Sequence, residues 1–170
     1  TAYRRQRQMC IRDRYKQELP LLFPDNQDLL KVSKSFRDPF EFLNMLNDEG
    51  ILNTDFNTEL GNISYQVACH QRVQNFGMLT KKILELVPGT TVNAIERCSG
   101  HDGTYGVKLE THDIAIKIAR PITKTFKEAN FDSFTSDCSL AAHHIENSLG
   151  NIQEPEHPIS LIKKAYGIRT

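Results

Sequence analysis

A strand-like segment that gives way to a loop and then to a helical segment occurs three times after residue 62. Short β-type runs over 63–68, 91–96 and 132–136 predict the strands. Parallel strands need a long crossover connection, which a helix usually supplies. The pattern therefore predicts an α/β fold, with a small, mostly parallel sheet built from βαβ units and flanking helices.

Helix start and stop signals place further elements around this repeat. Asp38 followed by Pro39 is typical of a helix N-cap and first turn, and Gly50 predicts the end of that helix. Apolar periodicity and terminal signals predict three more helices over 76–87, 139–149 and 158–167.

Residues 105–119 fit two different structures. The spacing of Val107, Ile114 and Ile118 suits a helix with these three side chains facing inward. Local alternation of apolar residues in the same stretch also suits a β-hairpin. A helical crossover between parallel strands is the simpler topology, so we expect a helix.

Charge and composition exclude several functional classes. The 170 residues contain 21 basic and 21 acidic side chains, so no overall positive charge favours nucleic acid as a partner. No apolar run approaches the roughly 18 residues that a membrane-spanning helix needs. Four cysteines are too few for a disulfide scaffold, and we therefore expect a reducing compartment.

The first fourteen residues differ from the rest of the chain. They contain five arginines and one aspartate, without a periodicity that would bury one face. A basic arm that contacts nucleic acid or lipid headgroups is one interpretation. The string MCIRDR, however, resembles the translation of a transposon-derived sequencing adapter. We therefore expect residues 1–14, with Cys10, to be non-native, and the chain to be a fragment that lacks its true N-terminal part.

The three remaining cysteines carry the strongest functional signal. Cys69, Cys98 and Cys138 each fall where a predicted strand gives way to a loop or helix. The carboxyl ends of parallel strands share one edge of the sheet, so we expect the three thiols to converge. Neighbouring helix N-termini should lower their pKa values, and thiolates select zinc or iron–sulfur clusters. The alternative is three buried cysteines that act as small apolar residues.

A histidine is a suitable fourth metal ligand beside three cysteine thiolates. His101 is the best candidate ligand, because the loop from Cys98 to His101 is compact enough to offer two ligands. His70, His143 and His144 also follow cysteines closely in the sequence.

The glycine-rich stretch 99–106 has more than one interpretation. It could hold a phosphate at a helix N-terminus, as in a nucleotide-binding α/β module. Its spacing matches neither the dinucleotide-binding motif nor the P-loop. A tight loop in which Gly100 and Gly103 let backbone N–H groups approach cluster sulfurs fits equally well, as does a simple turn.

Four stretches together resemble a known family: VACHQRVQNFG, VNAIERCSGHDGTYGVK, TSDCSLAAHHIENSLG and EHPISLIKKAYGI. They are similar to the C-terminal cysteine-rich (CCG-type) repeat found in the iron–sulfur component of anaerobic glycerol-3-phosphate dehydrogenases, within the heterodisulfide-reductase-related iron–sulfur protein family. The resemblance covers residues 15–170. It implies the end of a truncated upstream repeat plus a connecting helix over 15–60, and a CCG-like domain over 61–170.

The chain departs from the family pattern of a cysteine, a Cys-Cys-Gly and a Cys-x-x-Cys. Cys69 matches the first position, and Cys98 matches the second cysteine of the pair, with an arginine before it. Cys138 begins the last motif, which ends here in alanine. Two of five cysteines are absent, so a cluster would need a fourth ligand from His101, another histidine, water or a missing domain.

The resemblance also implies a function. We expect an iron–sulfur cluster of the 4Fe–4S type, with zinc as the other possible metal. The chain would accept electrons from a flavin-containing dehydrogenase subunit and pass them to a membrane-anchoring or quinone-side partner, without turning over a substrate itself. It would then be cytoplasmic and peripheral on the inner face of the cell membrane. The alternative is a zinc-bound or metal-free docking domain in such a complex.

Overall fold

The computed structural model describes residues 11–74, 77–101, 105–150 and 153–168. The chain divides into two compact units, one up to Leu52 and one from Asn53 onward. Cys10 and the other residues before Ile11, which belong to the segment expected to be non-native, lie outside the described residues.

The described part of the first unit is helical. Arg12 is buried there, and its Nη2 donates a hydrogen bond to the Glu41 carboxylate at 2.6 Å. The unit contains a π-helical turn, Arg14–Glu18, followed by α1 (Leu19–Leu22), α2 (Gln27–Ser35) and α3 (Pro39–Asp48).

The cap predicted for α3 is confirmed. The Asp38 carboxylate accepts a hydrogen bond from the backbone N–H of Phe40 at 2.9 Å, and the backbone N–H of Asp38 donates to Glu41 at 2.7 Å. These bonds form a capping box, which satisfies donors that the first helical turn leaves without partners. Gly50 follows the helix with a φ of 69°, so the predicted stop is also confirmed.

The described part of the second unit contains a small parallel sheet. Its strands are β1 (Asn62–Gln66), β2 (Thr91–Ile95) and β3 (Ser133–Ser136), in the order β2-β1-β3. Both pairings are parallel, which confirms the predicted α/β fold. The central strand β1 is buried over its last four residues, as expected for a strand with a neighbour on each side.

Helices flank this sheet. The predicted helix over 76–87 is shorter than expected, because the hydrogen bonds beyond Ile83 tighten to the i→i+3 pattern of a turn. A short helix that begins at Cys69 was not predicted. The helices of this unit are α4 (Cys69–Gln74), α5 (Leu79–Leu84), α6 (Leu109–Glu128), α7 (Ser139–Leu149) and α8 (Pro158–Ala165).

Helix α6 confirms the helical interpretation of the ambiguous segment but contradicts its predicted inward face. Val107, Ile114 and Ile118 are 70%, 45% and 43% exposed. The buried stripe instead follows the i, i+4, i+7, i+11 spacing of a helix that runs on past residue 119. Its members are Ala115, Ala119, Ile122 and Phe126.

The core beside the candidate site lies between the sheet, α6 and α7. Phe134 of β3 packs edge-on against Phe126 of α6, with ring centroids 4.6 Å apart. Ile95 and Ile145 join the same buried cluster. Because neighbouring residues of a strand point to opposite faces, Tyr65, which pairs with Thr135, points away from this cluster toward α4 and α5.

Candidate metal-binding site

The parallel pairing of β1 and β2 brings Cys69 and Cys98 to the same end of the sheet. Gln66 at the end of β1 pairs with Ile95 at the end of β2, and each cysteine follows three residues later. The ladder extends beyond the strands by one further hydrogen bond, from Val67 N to Ile95 O at 3.1 Å. Cys98 is near enough to help raise the pKa of the Cys69 thiol.

Cys138 reaches the same edge from the other side of β1. Gln66 pairs with Ser136, so Cys138 follows only two residues later and stands one position short of Cys69. The Ser136 hydroxyl accepts a hydrogen bond from Cys138 N at 3.2 Å and donates one to the Gln66 side chain at 2.6 Å. The Cys138 sulfur interacts electrostatically with that of Cys69. The structure thus brings all three thiols to one sheet edge.

The prediction that helix N-termini lower the pKa values of the thiols is wrong for Cys69 and Cys138. Burial and then the neighbouring Cys98 raise the pKa of Cys69, even though this residue is exposed as a whole, and Arg72 opposes the shift. Burial also raises the pKa of Cys138 and outweighs the N–H groups of the first turn of α7, which lower it. Both groups are therefore thiols at neutral pH, and binding a metal must release their protons.

The structure groups His101 with two other histidines. Its ring centroid lies 6.1 Å from that of His144, and the ring of His112 lies 6.4 Å from His144. All three histidines surround Gly106. The carbonyl oxygen of Gly106 lies 3.0 Å from His112 Nδ1. A Cβ added to Gly106 would lie 3.1 Å from the Nδ1 atoms of His101 and His144. Burial, opposed by the Ala115 carbonyl and reinforced by the two other histidines, lowers the pKa of His144.

The remaining candidate histidines have separate positions. His143 Nδ1 lies 2.9 Å from the Glu146 carboxylate, in an i, i+3 pair on α7. His70 is half-buried in the first turn of α4, next to Cys69 in the chain.

Gly100 donates a hydrogen bond to the Cys98 sulfur and lets its loop pack closely against α6. Its backbone N–H lies 3.4 Å from the Cys98 sulfur, where it donates a hydrogen bond. Its φ is 80°, and a Cβ at this position would lie 2.2 Å from the backbone oxygen of Ala115. The loop therefore rests directly on α6. Gly103, the other glycine predicted to contact a cofactor, lies outside the described residues.

A buried ring of four polar side chains adjoins the thiols, and no sequence motif predicted it. Tyr65 Oη lies 2.5 Å from Gln71 Oε1 and 2.6 Å from Asp137 Oδ2. Thr80 Oγ1 completes the ring, at 3.1 Å from Gln71 Nε2 and 3.0 Å from Asp137 Oδ1. The Asp137 carboxyl group therefore lies between two hydroxyl groups, one on β1 and one on α5.

An open cleft of about 500 Å³ gives access to Cys69. Arg72 and Glu96 line it, with their charged groups 4.0 Å apart, and Val67 and Met78 supply apolar surface. The cleft therefore offers an ion pair and an apolar wall beside an exposed thiol.

No protein-family model matches the chain. Within the part of the chain that the structure describes, no group of three or more His, Cys, Asp or Glu side chains is arranged to hold a metal ion. Among the described helices, none combines the length and the apolar character required to cross a bilayer.

Proposed function

We propose that this chain belongs to an iron–sulfur electron-transfer subunit and that Cys69, Cys98 and Cys138 anchor its cluster. The observation that carries the proposal is the position of three cysteines just beyond three neighbouring strands, at one edge of a parallel sheet. That edge is where α/β folds bind their ligands.

The donor types fit an iron–sulfur cluster, because thiolates are its usual ligands. Cys69, Cys98 and Cys138 would supply three donors, and their side chains have to draw together when a cluster is loaded. We assign the fourth position to His101, which follows Cys98 in the same short loop. The Gly100 N–H donates to the Cys98 sulfur, and such a bond stabilises the more negative, reduced state of a site.

A bound cluster would supply one-electron transfer. The chain would take electrons from a flavin-containing dehydrogenase subunit and pass them to a quinone-side partner, while lying peripherally on the cytoplasmic face of the membrane. The sequence resemblance supports these partners and this location.

A zinc-bound docking domain is the second candidate. Three cysteines and one histidine form a ligand set that tetrahedral zinc commonly takes, which is the observation in its favour. Zinc carries no electrons, so the domain would then hold partner subunits together.

The test is the metal content of the chain, purified anaerobically and reconstituted with iron and sulfide. We expect iron, inorganic sulfide and a brown visible absorption, and we expect Cys98→Ser to abolish loading while the matched Cys10→Ser variant loads normally. Stable zinc in place of iron would replace the proposal by the second candidate. Equal loading by the two variants, or no metal in the unaltered chain, would refute the site.

A further inference from the structure

A single buried amide contacts the backbone that leads to two of the cysteines. Gln66 is the last residue of β1, the central strand, and its side chain is fully buried. Its Nε2 donates hydrogen bonds to the backbone oxygens of Val67 at 2.8 Å and of Arg97 at 3.2 Å. Val67 precedes Cys69 by two residues. Arg97 directly precedes Cys98, so one side chain holds the backbone on both sides of the β1–β2 pair.

The other end of the amide reaches the third cysteine through a hydroxyl group. Gln66 Oε1 accepts a hydrogen bond from Ser136 Oγ at 2.6 Å, and Ser136 Oγ accepts one from the Cys138 backbone N–H at 3.2 Å. Every bond points the same way, from the Cys138 N–H through the serine and the glutamine to two carbonyl oxygens. Turning the amide over would set its oxygen against those carbonyl oxygens, so the bonds fix one orientation of the side chain.

The location of this network is more telling than its burial. Glutamine is mostly exposed in proteins, and a buried amide lowers stability unless it is hydrogen-bonded. Ser64 lies on the same face of β1, two residues earlier, and its buried hydroxyl has no hydrogen-bond partner among the described residues. Gln66 and Ser136, by contrast, stand where the chain leaves the paired strands and its backbone groups need other partners.

We propose that Gln66 is a positioning residue for the sheet-edge site and that, with Ser136, it holds the three cysteine-bearing segments in a fixed arrangement. It acts through the backbone of those segments. Groups that orient metal ligands in this way typically change metal affinity 10–100-fold when they are removed. The arrangement of the segments stands without a metal, whereas its consequence for metal binding rests on the proposed function.

The first test uses the metal-free, reduced full chain and the accessibility of Cys138, which is only partly exposed. Ser136→Ala removes the acceptor of the Cys138 N–H, so iodoacetamide should alkylate Cys138 several-fold faster than in the unaltered chain. Ser64→Ala is the matched control, because it makes the same substitution at a similarly buried serine, and it should leave the rate unchanged. Mass spectrometry measures the rate on the tryptic peptide 128–163, which contains Cys138 and no other cysteine.

The second test uses metal. Cobalt(II) is the probe for affinity, since its thiolate complexes absorb visible light, and the chain reconstituted with iron and sulfide gives the midpoint potential. Ser136→Ala should lower the cobalt affinity about 10–100-fold and shift the potential, whereas Ser64→Ala should change neither. Gln66→Met removes all three contacts of the amide and should weaken cobalt binding at least as much. Because both substitutions break one network, Ser136→Ala should add little further loss in the Gln66→Met background.

Each outcome decides between the network and its alternatives. Equal alkylation rates in Ser136→Ala and Ser64→Ala would overturn the proposal, and in a chain that loads metal they would refute this inference alone. Faster alkylation with unchanged cobalt affinity and potential would reduce the network to a structural role and would also overturn it, as would losses that add fully in the double variant. Faster alkylation in a chain that binds no metal would refute the proposed function and leave the positioning of the segments in place.

Discussion

Replacing Gly100 by alanine distinguishes a packing role of this glycine from a role confined to a bound cofactor. The new Cβ would lie 2.2 Å from the backbone oxygen of Ala115 and 3.1 Å from the backbone nitrogen of Ala119. Both atoms belong to the backbone of α6, so no side chain can rotate to make room. The loop or the helix has to shift in the metal-free protein as well.

Gly150 provides the matched control. Its φ of 88° is close to the 80° of Gly100, yet within the described residues no heavy atom lies within 4 Å of a Cβ built there. Left-handed backbone costs an alanine about 1–2 kcal/mol, which is the loss of stability expected for Gly150→Ala. Forced overlap in a packed region adds about 1–3 kcal/mol, so Gly100→Ala should lose about 2–5 kcal/mol.

Urea-dependent hydrogen exchange of the β1 and α6 amides measures the free energy of unfolding of the second unit in both variants. The measurement is made without metal, so that loss of a cofactor cannot contribute. Equal losses for the two variants would refute the reasoning. Equal losses would mean that the loop can move away from α6 without loss of stability. The hydrogen bond from the Gly100 N–H to the Cys98 sulfur would then be the remaining role of this glycine.

Two further predictions concern stability. Tyr65→Phe removes one buried hydrogen-bond partner from each of Gln71 and Asp137 and should cost about 1–3 kcal/mol. Urea denaturation measures this loss, and an unchanged free energy of unfolding would contradict a stabilising role of the buried ring. Because the pKa of His144 is lowered in the folded state, the unfolded chain takes up that proton first, and stability should fall as the pH drops below about 6.5. Thermal unfolding at about pH 7.5 and about pH 5.5 should show a smaller difference for His144→Gln than for the unaltered protein, and equal differences would remove His144 as the cause.

The elements that could be predicted are those whose signals are local. Asp38 and Glu41 cap α3 through hydrogen bonds between residues three positions or fewer apart. Gly150 ends α7 because it adopts the left-handed backbone that a helix C-terminus favours. Such contacts depend on neighbouring residues, so a short stretch of sequence contains all the information they require.

The inward face of α6 could not be predicted in this way. The ambiguous segment 105–119 stops short of Ile122 and Phe126, which continue the buried stripe. The apolar residues Ile114 and Ile118 look like core residues by composition. The close approach of the Gly100 loop, however, requires the small alanines of the helix to face inward.

The amino-acid sequence is enough to place the three cysteines at the ends of strands, because strand propensity and chain punctuation are visible along the chain. It does not say which thiols stand opposite each other. That depends on the register of strands that are distant in sequence: Gln66 pairs with both Ile95 and Ser136, so Cys69 and Cys98 each follow three residues after a paired position and Cys138 only two. The buried ring has the same origin, since Tyr65 and Asp137 are 72 residues apart and meet only when β1 and β3 pair. The burial of one set of side chains on each face of the sheet fixes that register, because a slip by one residue would turn every side chain to the opposite face.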